Sequence, residues 1–376
     1  MFDVLSSRKL PRRGKQQATY AHPRPPNPLP KRMSTSAPPA SQPYGLQRLV
    51  WSGQIPVRFD LASNEVTTYQ SPRPMFVMVP RLSYFPLLLA RVIDYFEKYA
   101  PPMLGIGSQN STRNRVRNVW FESNGVPLRW HLPVGALYDV LVKPTQPTGN
   151  ILDVTSTPSL PWRIVVHFQS FPEQKIVRFE GLDSVRWNFM SDLKQAMYVR
   201  LRSAKSVLDL PKQEQEQLWE GLKSNDSLKF WKINCKLIDG VVSASDGVED
   251  DTKCKLYRLP VRILVAPGHS DRNDRSSRDA DYKVYQRPIS AYKLSDDGVT
   301  MDFSQPTRVG DALIQCVPKY REYDLEHFVA DGDNSNVQFI VQGIKVSPKD
   351  DLVKACRYLA HADNFLYLII IEPTLL

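Results

Sequence analysis

An α+β protein in three folded pieces is what this sequence predicts, and three observations carry the reading. Strand patterns surround an amphipathic helix in the first third, helical patterns alone run from residue 183 to about 238, and the last third repeats the order of the first. A chain of 376 residues has room for two or three ordinary domains. Its 42% hydrophobic and 23% charged residues are those of a globular protein. The longest apolar run, residues 365–371, is far short of the roughly 20 residues a membrane span requires.

Proline and positive charge collect at the start. Residues 1–40 hold eight bases (Arg8, Lys9, Arg12, Arg13, Lys15, Arg24, Lys31 and Arg32) against Asp3, which is most of the formal net charge of +10. Eight of the 31 prolines fall in the same stretch. Too little apolar surface is present to offset the entropy of ordering, so residues 1–43 read as a disordered basic tail. The proline density argues against the amphipathic helix of a transit peptide. A solvated tail, or one drawn to anionic lipid or nucleic acid, fits the composition.

The first folded piece, residues 44–175, opens with a short helix. Residues 50–61 then read as a strand entering a hairpin, with 75–79 (MFVMV) as its partner. Phe85, Leu88, Leu89, Val92, Phe96 and Tyr99 recur at helical spacing, with Pro86 in the first turn and Pro101-Pro102 as the stop. A second hairpin, 119–121 with 127–132, turns through Asn124-Gly125. A short helix, 135–142, and a closing strand, 162–168, complete the set. Strands wrapped on one helix in this order define a β-grasp, ubiquitin-like domain. A helix-rich domain is expected over 183–240.

The final piece, 255–376, reads the same way. Strands are expected at 257–265, 283–292, 337–346 and 365–371, the last apolar on both faces and hence central in its sheet. A charged loop lies between the first two strands. Thr307 is placed to cap a helix carrying Val309, Ala312, Leu313 and Cys316. Ser347-Pro348-Lys349-Asp350 reads as a capping-box start, with Pro at the first helical position.

Chemistry-bearing motifs are few. GxSxG, HExxH, GxxxxGK[ST] and GxGxxG are all missing, and the six histidines do not cluster. The four cysteines, at 235, 254, 316 and 356, make neither a disulfide framework nor a CxxC zinc pair, which suits reduced thiols in a cytosolic protein. Cys316 and Cys356 fall on apolar helix faces, where a core role outweighs a nucleophilic one. No enzyme activity, metal or cofactor is expected. A modifier role is set aside because the sequence ends IEPTLL, without a terminal glycine. Arg200, Arg202 and Lys205 lie on a basic helix, but no RNA-binding aromatic motif accompanies them, so nucleic acid is not the expected partner.

An ordered set of words remains: VWSGQIPV (50–57), VPRLSY (79–84), VWFESNGVPLRWHLPVGALYDVL (119–141), LPWRIVVHFQSFPE (160–173), WNFMSDLKQA (187–196), LWEGLKSNDSLKFWKIN (218–234), YRLPVRI (257–263) and HADNFLYLIII (361–371). In this order they resemble the autophagy protein 5 family. The resemblance implies a non-catalytic scaffold of autophagosome formation, part of an E3-like complex. It implies a ubiquitin-like modifier, autophagy protein 12, joined to one lysine by E1-like and E2-like enzymes, and a coiled-coil partner, autophagy protein 16. The conjugate would promote transfer of a second ubiquitin-like protein onto phosphatidylethanolamine, in the cytoplasm and peripherally on the isolation membrane. The acceptor matches Lys194. The partner-binding assignment of Trp51 and Arg81 also rests mainly on the resemblance; both are element ends, and the plainer reading of Arg81 is an exposed arginine bonded to nearby carbonyls. The alternative function is an unconjugated ubiquitin-like adaptor, bound to an anionic membrane or nucleic acid through its tail.

Lys194 carries a residue-level argument of its own. On a helix from Trp187 to Leu201 it lies about 40° from Met190, within the sector of Met190, Leu193, Met197 and Leu201. Snorkelling accounts for that placement. So does acyl transfer: only a neutral amine attacks a thioester, and apolar neighbours favour the neutral form, with Arg200 and Arg202 adding to this if the fold brings them near.

Overall fold

The first strand begins later than expected. Gly45–Ser52 is a helix (α1) that buries Trp51, and β1 starts at Gln54, after Gly53, so residues 50–52 belong to the helix and not to the expected strand. The computed structural model describes residues 45–100, 117–142, 160–239, 258–266, 282–295, 301–325, 328 and 337–372. The basic tail, the Pro101-Pro102 stop, most of the charged loop and Cys254 lie outside those residues.

β1 (Gln54–Leu61) alternates, burying Ile55, Val57, Phe59 and Leu61. β2 (Met75–Pro80) pairs with it antiparallel. The turn Phe85–Leu88 leads into α2 (Leu89–Phe96), whose Leu89, Val92, Ile93 and Phe96 join the same core as Phe59. β3 (Trp120–Ser123) and β4 (Val126–Pro127) turn through Asn124-Gly125, both at positive φ. After α3 (Val134–Leu141), β5 (Trp162–His167) runs parallel to β1 and antiparallel to β3. The sheet order is β2-β1-β5-β3-β4, a β-grasp. Residues 128–132, expected as strand, are not part of it.

Four helices follow: α4 (Leu182–Leu201), α5 (Lys205–Leu208), α6 (Lys212–Lys223) and α7 (Ser227–Asp239). Gly221 lets α6 and α7 approach, since a Cβ there would stand 2.7 Å from the Phe230 nitrogen.

The second sheet repeats the first. β6 (Arg258–Ala266) pairs with β7 (Lys283–Ser290), while β8 (Tyr292–Leu294) and β9 (Met301–Pro306) form a separate ribbon that the sequence reading did not anticipate beyond Tyr292. α8 (Val309–Cys316) is preceded by Arg308, whose N–H donates to Asp311. Thr307 is not its cap; the Thr307 hydroxyl donates to the Ser290 carbonyl at 2.7 Å. The expected strand 337–346 is a hairpin, β10 (Gln338–Val341) and β11 (Ile344–Val346), because Gln342 and Gly343 take φ of 52° and 77°. α9 (Leu352–Tyr358) begins later than expected. Asp351 caps it through the Val353 and Lys354 amides, and Ser347–Asp350 closes a turn of its own.

β12 (Leu366–Ile371) is central, parallel to β6 and antiparallel to β10, in the order β11-β10-β12-β6-β7. Leu366, Leu368 and Ile370 face the core of this sheet's own helices. Tyr367, Ile369 and Ile371, with Phe365, join the core of the first β-grasp and the helical region. That is why the strand is apolar on both faces.

Candidate functional site

α4 presents Lys194. Val185, Phe189, Asp192, Leu193, Ala196, Met197 and Arg200 form its buried face. Lys194 lies about 100° round from Leu193, at the edge of that face beside half-buried Met190 and Leu201. It is half-buried and makes no hydrogen bond or ion pair among the described residues. The apolar sector read from sequence is therefore displaced: Lys194 borders it and does not lie inside. Trp187 and Tyr198, 79% and 61% exposed, flank the lysine at i−7 and i+4 on the outer side. Arg200 does not assist. It is buried, about 120° away round the helix, and its Nη2 donates to the Asn364 carbonyl at 3.4 Å. Arg202 is exposed, in a left-handed cap.

Beneath the same stretch lies a buried polar network. Arg262 of β6 donates from Nη2 to Asp192 Oδ1 (2.6 Å) and from Nη1 to the Tyr367 hydroxyl (2.8 Å), which in turn donates to Asp363 Oδ2 (2.7 Å). Burial alone would lower the guanidinium's pKa, but Tyr367, Asp192 and Asp363 more than offset this and leave it raised. Burial lifts Asp363 to about 6, with Arg262 at 3.7 Å pulling it down and the like charge of Asp192 pushing it up. Long separation in sequence hid this network: its members lie at 192, 262, 363 and 367, and an arginine inside an apolar strand was its one visible sign.

Arg81 and Trp51 both meet partners within the chain. Arg81 follows β2; its guanidinium ion-pairs with Asp139 of α3 and has 12% of its side chain exposed. Cβ atoms placed on Gly53, Gly135 or Gly343 would each come within 3.0–3.1 Å of Arg81, so three glycines, one of them on the β10–β11 turn, make room for it. Burial raises the Asp139 pKa while Arg81 and the Gly343 amide pull it down. The exposed arginine read from sequence is thus a tether between the two β-grasp units. Trp51, expected at an open element end, is 4% exposed. Its ring packs at a tilt against Phe230 (centroids 4.6 Å apart) and its Nε1 donates to the Asn225 carbonyl (3.3 Å), pinning α1 to α7. Leu46 and Leu49 are exposed on the outer side of α1.

Cys316 and Cys356 are core residues, as expected, with burial pushing their thiols to about 11 and about 12. Cys235 is half-buried. Among the described residues no group of His, Cys, Asp and Glu could hold a metal ion, and no helix is long and apolar enough to cross a membrane.

Two β-grasp units about a helical bundle, with a lysine at the edge of the bundle's longest helix, define a double ubiquitin-like scaffold. Three family models cover nearly all of its folded part: Autophagy protein ATG5, UblA domain over residues 50–168, alpha-helical bundle region over 182–240, and UblB domain over 258–370. The chain belongs to the autophagy protein 5 family. Autophagy protein 5 of Aspergillus fumigatus is 35% identical over 343 residues, covering 86% of this chain and 94% of that protein. The Dictyostelium discoideum relative is 25% identical, covering 88% and 95%. A crystal structure of Kluyveromyces marxianus Atg5 superposes with a TM-score of 0.59 at 20% identity, over 86% of this chain and 98% of that one, which supports the fold. A role in autophagy follows from the family, whose names denote no catalytic enzyme.

Proposed function

We propose that this chain is the acceptor of a ubiquitin-like modifier, autophagy protein 12, at Lys194. With the coiled-coil autophagy protein 16, the conjugate would promote lipidation of a second ubiquitin-like protein on phosphatidylethanolamine, peripherally on the isolation membrane and facing the cytoplasm. The observation that carries the reading is Lys194 itself: half-buried, unpaired among the described residues, and bordered by exposed Trp187 and Tyr198. An amine tied in an ion pair would have to break it before reacting; this one does not. E1-like and E2-like enzymes supply the modifier as a thioester. The neutral Nζ attacks the thioester carbonyl, the C–N bond forms, the C–S bond breaks, the thiolate leaves and the amine's proton passes to water.

The coiled-coil partner is assigned to the side where α1 meets both β-grasp units, with Leu46 and Leu49 as apolar contacts. Trp51 and Arg81 serve it by holding α1 and the β10–β11 turn in place. The chain contributes no catalytic residue of its own to the E3-like complex.

The decisive experiment is a reconstituted conjugation reaction with Lys194→Arg. Arginine keeps charge and length but is not deprotonated in a protein. Conjugate should vanish while folding and coiled-coil binding persist, and Lys205→Arg should conjugate as wild type. Conjugate formed at full yield by Lys194→Arg would remove the acceptor assignment.

A further inference from the structure

One side chain of the second β-grasp unit grips the helical turn that carries Lys194. Asp192 precedes the lysine by two residues and Gln195 follows it by one; Arg262 Nη2 reaches Asp192 Oδ1 at 2.6 Å and Gln195 Oε1 at 3.5 Å. The guanidinium is itself immobilised. Its Nε donates to Gln286 Oε1 (2.9 Å), its Nη1 to Tyr367 (2.8 Å), and its plane lies 3.9 Å over the Phe365 ring. From the opposite side, Asn188 Nδ2 joins Asp192 Oδ2 to the His131 carbonyl of the first unit, each at 3.2 Å. The turn is therefore fixed to both β-grasp units at once.

Stability alone does not call for this arrangement. Apolar residues of similar volume stabilise a buried site as well as an ion pair does, because both charges lose their water. What a forked guanidinium adds is direction: it sets the rotation of the turn about the helix axis. Direction matters for a lysine, whose long side chain leaves the Cα–Cβ vector as the only fixed part of its approach. Acyl transfer is sensitive to it, since a misplaced nucleophile loses the gain of a near-attack geometry.

We propose that Arg262 is a positioning residue for acylation of Lys194, holding the 192–195 turn so that Nζ meets the thioester carbonyl in line for attack. The proposal rests on the reading of Lys194 as acceptor. The covalent step is the one already written: C–N forms, C–S breaks, the thiolate leaves, and the proton goes to water.

Single-turnover conjugation of the full chain by the thioester-charged E2-like enzyme tests it, well below each variant's melting midpoint. Arg262→Lys keeps the charge and loses the fork. Asp192→Asn keeps the shape and leaves Arg262 its contacts with Tyr367 and Asp363, so it is the variant expected to fold if the first does not. Each should lower the limiting rate at saturating donor about tenfold or more, leave the donor concentration for half-maximal rate within about twofold, and leave coiled-coil binding unchanged. A purely structural role would lower the melting midpoint and leave that limiting rate alone. Folded variants reacting at the wild-type limiting rate overturn the proposal. Lys194→Arg run alongside separates the two claims: conjugate formed on it overturns the acceptor reading, whereas its loss together with unchanged Asp192→Asn kinetics overturns only the positioning role of Arg262.

Discussion

His361 is buried beside Arg81 with its ring 4.7 Å from Tyr367, and its Nδ1 finds no hydrogen bond among the described residues. Burial, with the Arg81 charge adding to it, lowers its pKa to about 3 from 6.5. The folded protein thus keeps this imidazole neutral where the unfolded chain protonates it. Its contribution to stability is present above pH 6.5 and is lost as pH falls from 6.5 toward 3. Between pH 6.5 and 5 the unfolding free energy of wild type should fall by about 2 kcal/mol more than that of His361→Gln, which cannot take up the proton. Denaturant titrations at the two pH values measure this directly; parallel losses would show that His361 does not discriminate the folded state. The Arg81–Asp139 pair gives the second prediction at this scale. Asp139 is buried, so Arg81→Glu places two carboxylates together and should destabilise the fold by about 3–5 kcal/mol, in addition to weakening the coiled-coil partner. A melting midpoint equal to wild type would contradict the tether.

Elements formed where the residue pattern was local. Asn124-Gly125 announced its hairpin because both residues tolerate positive φ; Gln342-Gly343 makes the same kind of turn, but glutamine lacks that signature, and the hairpin was read as one strand. Asp351 took the α9 cap from Ser347 because its carboxylate reaches two amides, Val353 and Lys354. β9 is short and polar, with Asp302, Ser304 and Gln305 between its ends, and gave no strand pattern to find. The acceptor assignment of Lys194 rests on resemblance, and its setting on the helix was legible only in part, since the buried face of α4 includes Arg200, a residue no hydrophobic pattern selects. Helix approach supplies the prediction here. Gly221 touches the backbone of α7, where a methyl group would stand 2.7 Å from the Phe230 nitrogen and 2.9 Å from its Cα. Backbone cannot yield as a flexible side chain does. Gly221→Ala should therefore cost about 1–3 kcal/mol despite alanine's better helix propensity. A stabilised variant in thermal melts would show that the two helices separate freely.

At the scale of the molecule, the two β-grasp units are not independent. The pattern LYLIII did announce a strand buried on both faces, but the sequence could not say what covers the second face, because the covering residues come from α3, α4 and the first unit's core far along the chain. Leu264, Ala266, Phe365, Tyr367, Ile369 and Ile371 all belong to that shared core, and the Arg262–Asp192 pair lies among them. Each large apolar side chain removed from water contributes about 1.5–3 kcal/mol. Separating the last unit from the rest would expose five of them and leave Arg262 without Asp192, a loss of the order of 10 kcal/mol. A domain of ordinary stability does not survive that. Residues 255–376 expressed alone should therefore bind a hydrophobic dye, associate with themselves and melt without a cooperative transition, and co-expression with residues 44–240 should restore a single sharp one. Calorimetry and sedimentation of the fragment decide the matter. A monomeric fragment that melts cooperatively within a few degrees of the whole chain would mean that the shared face is a docking surface between finished domains and not part of one core.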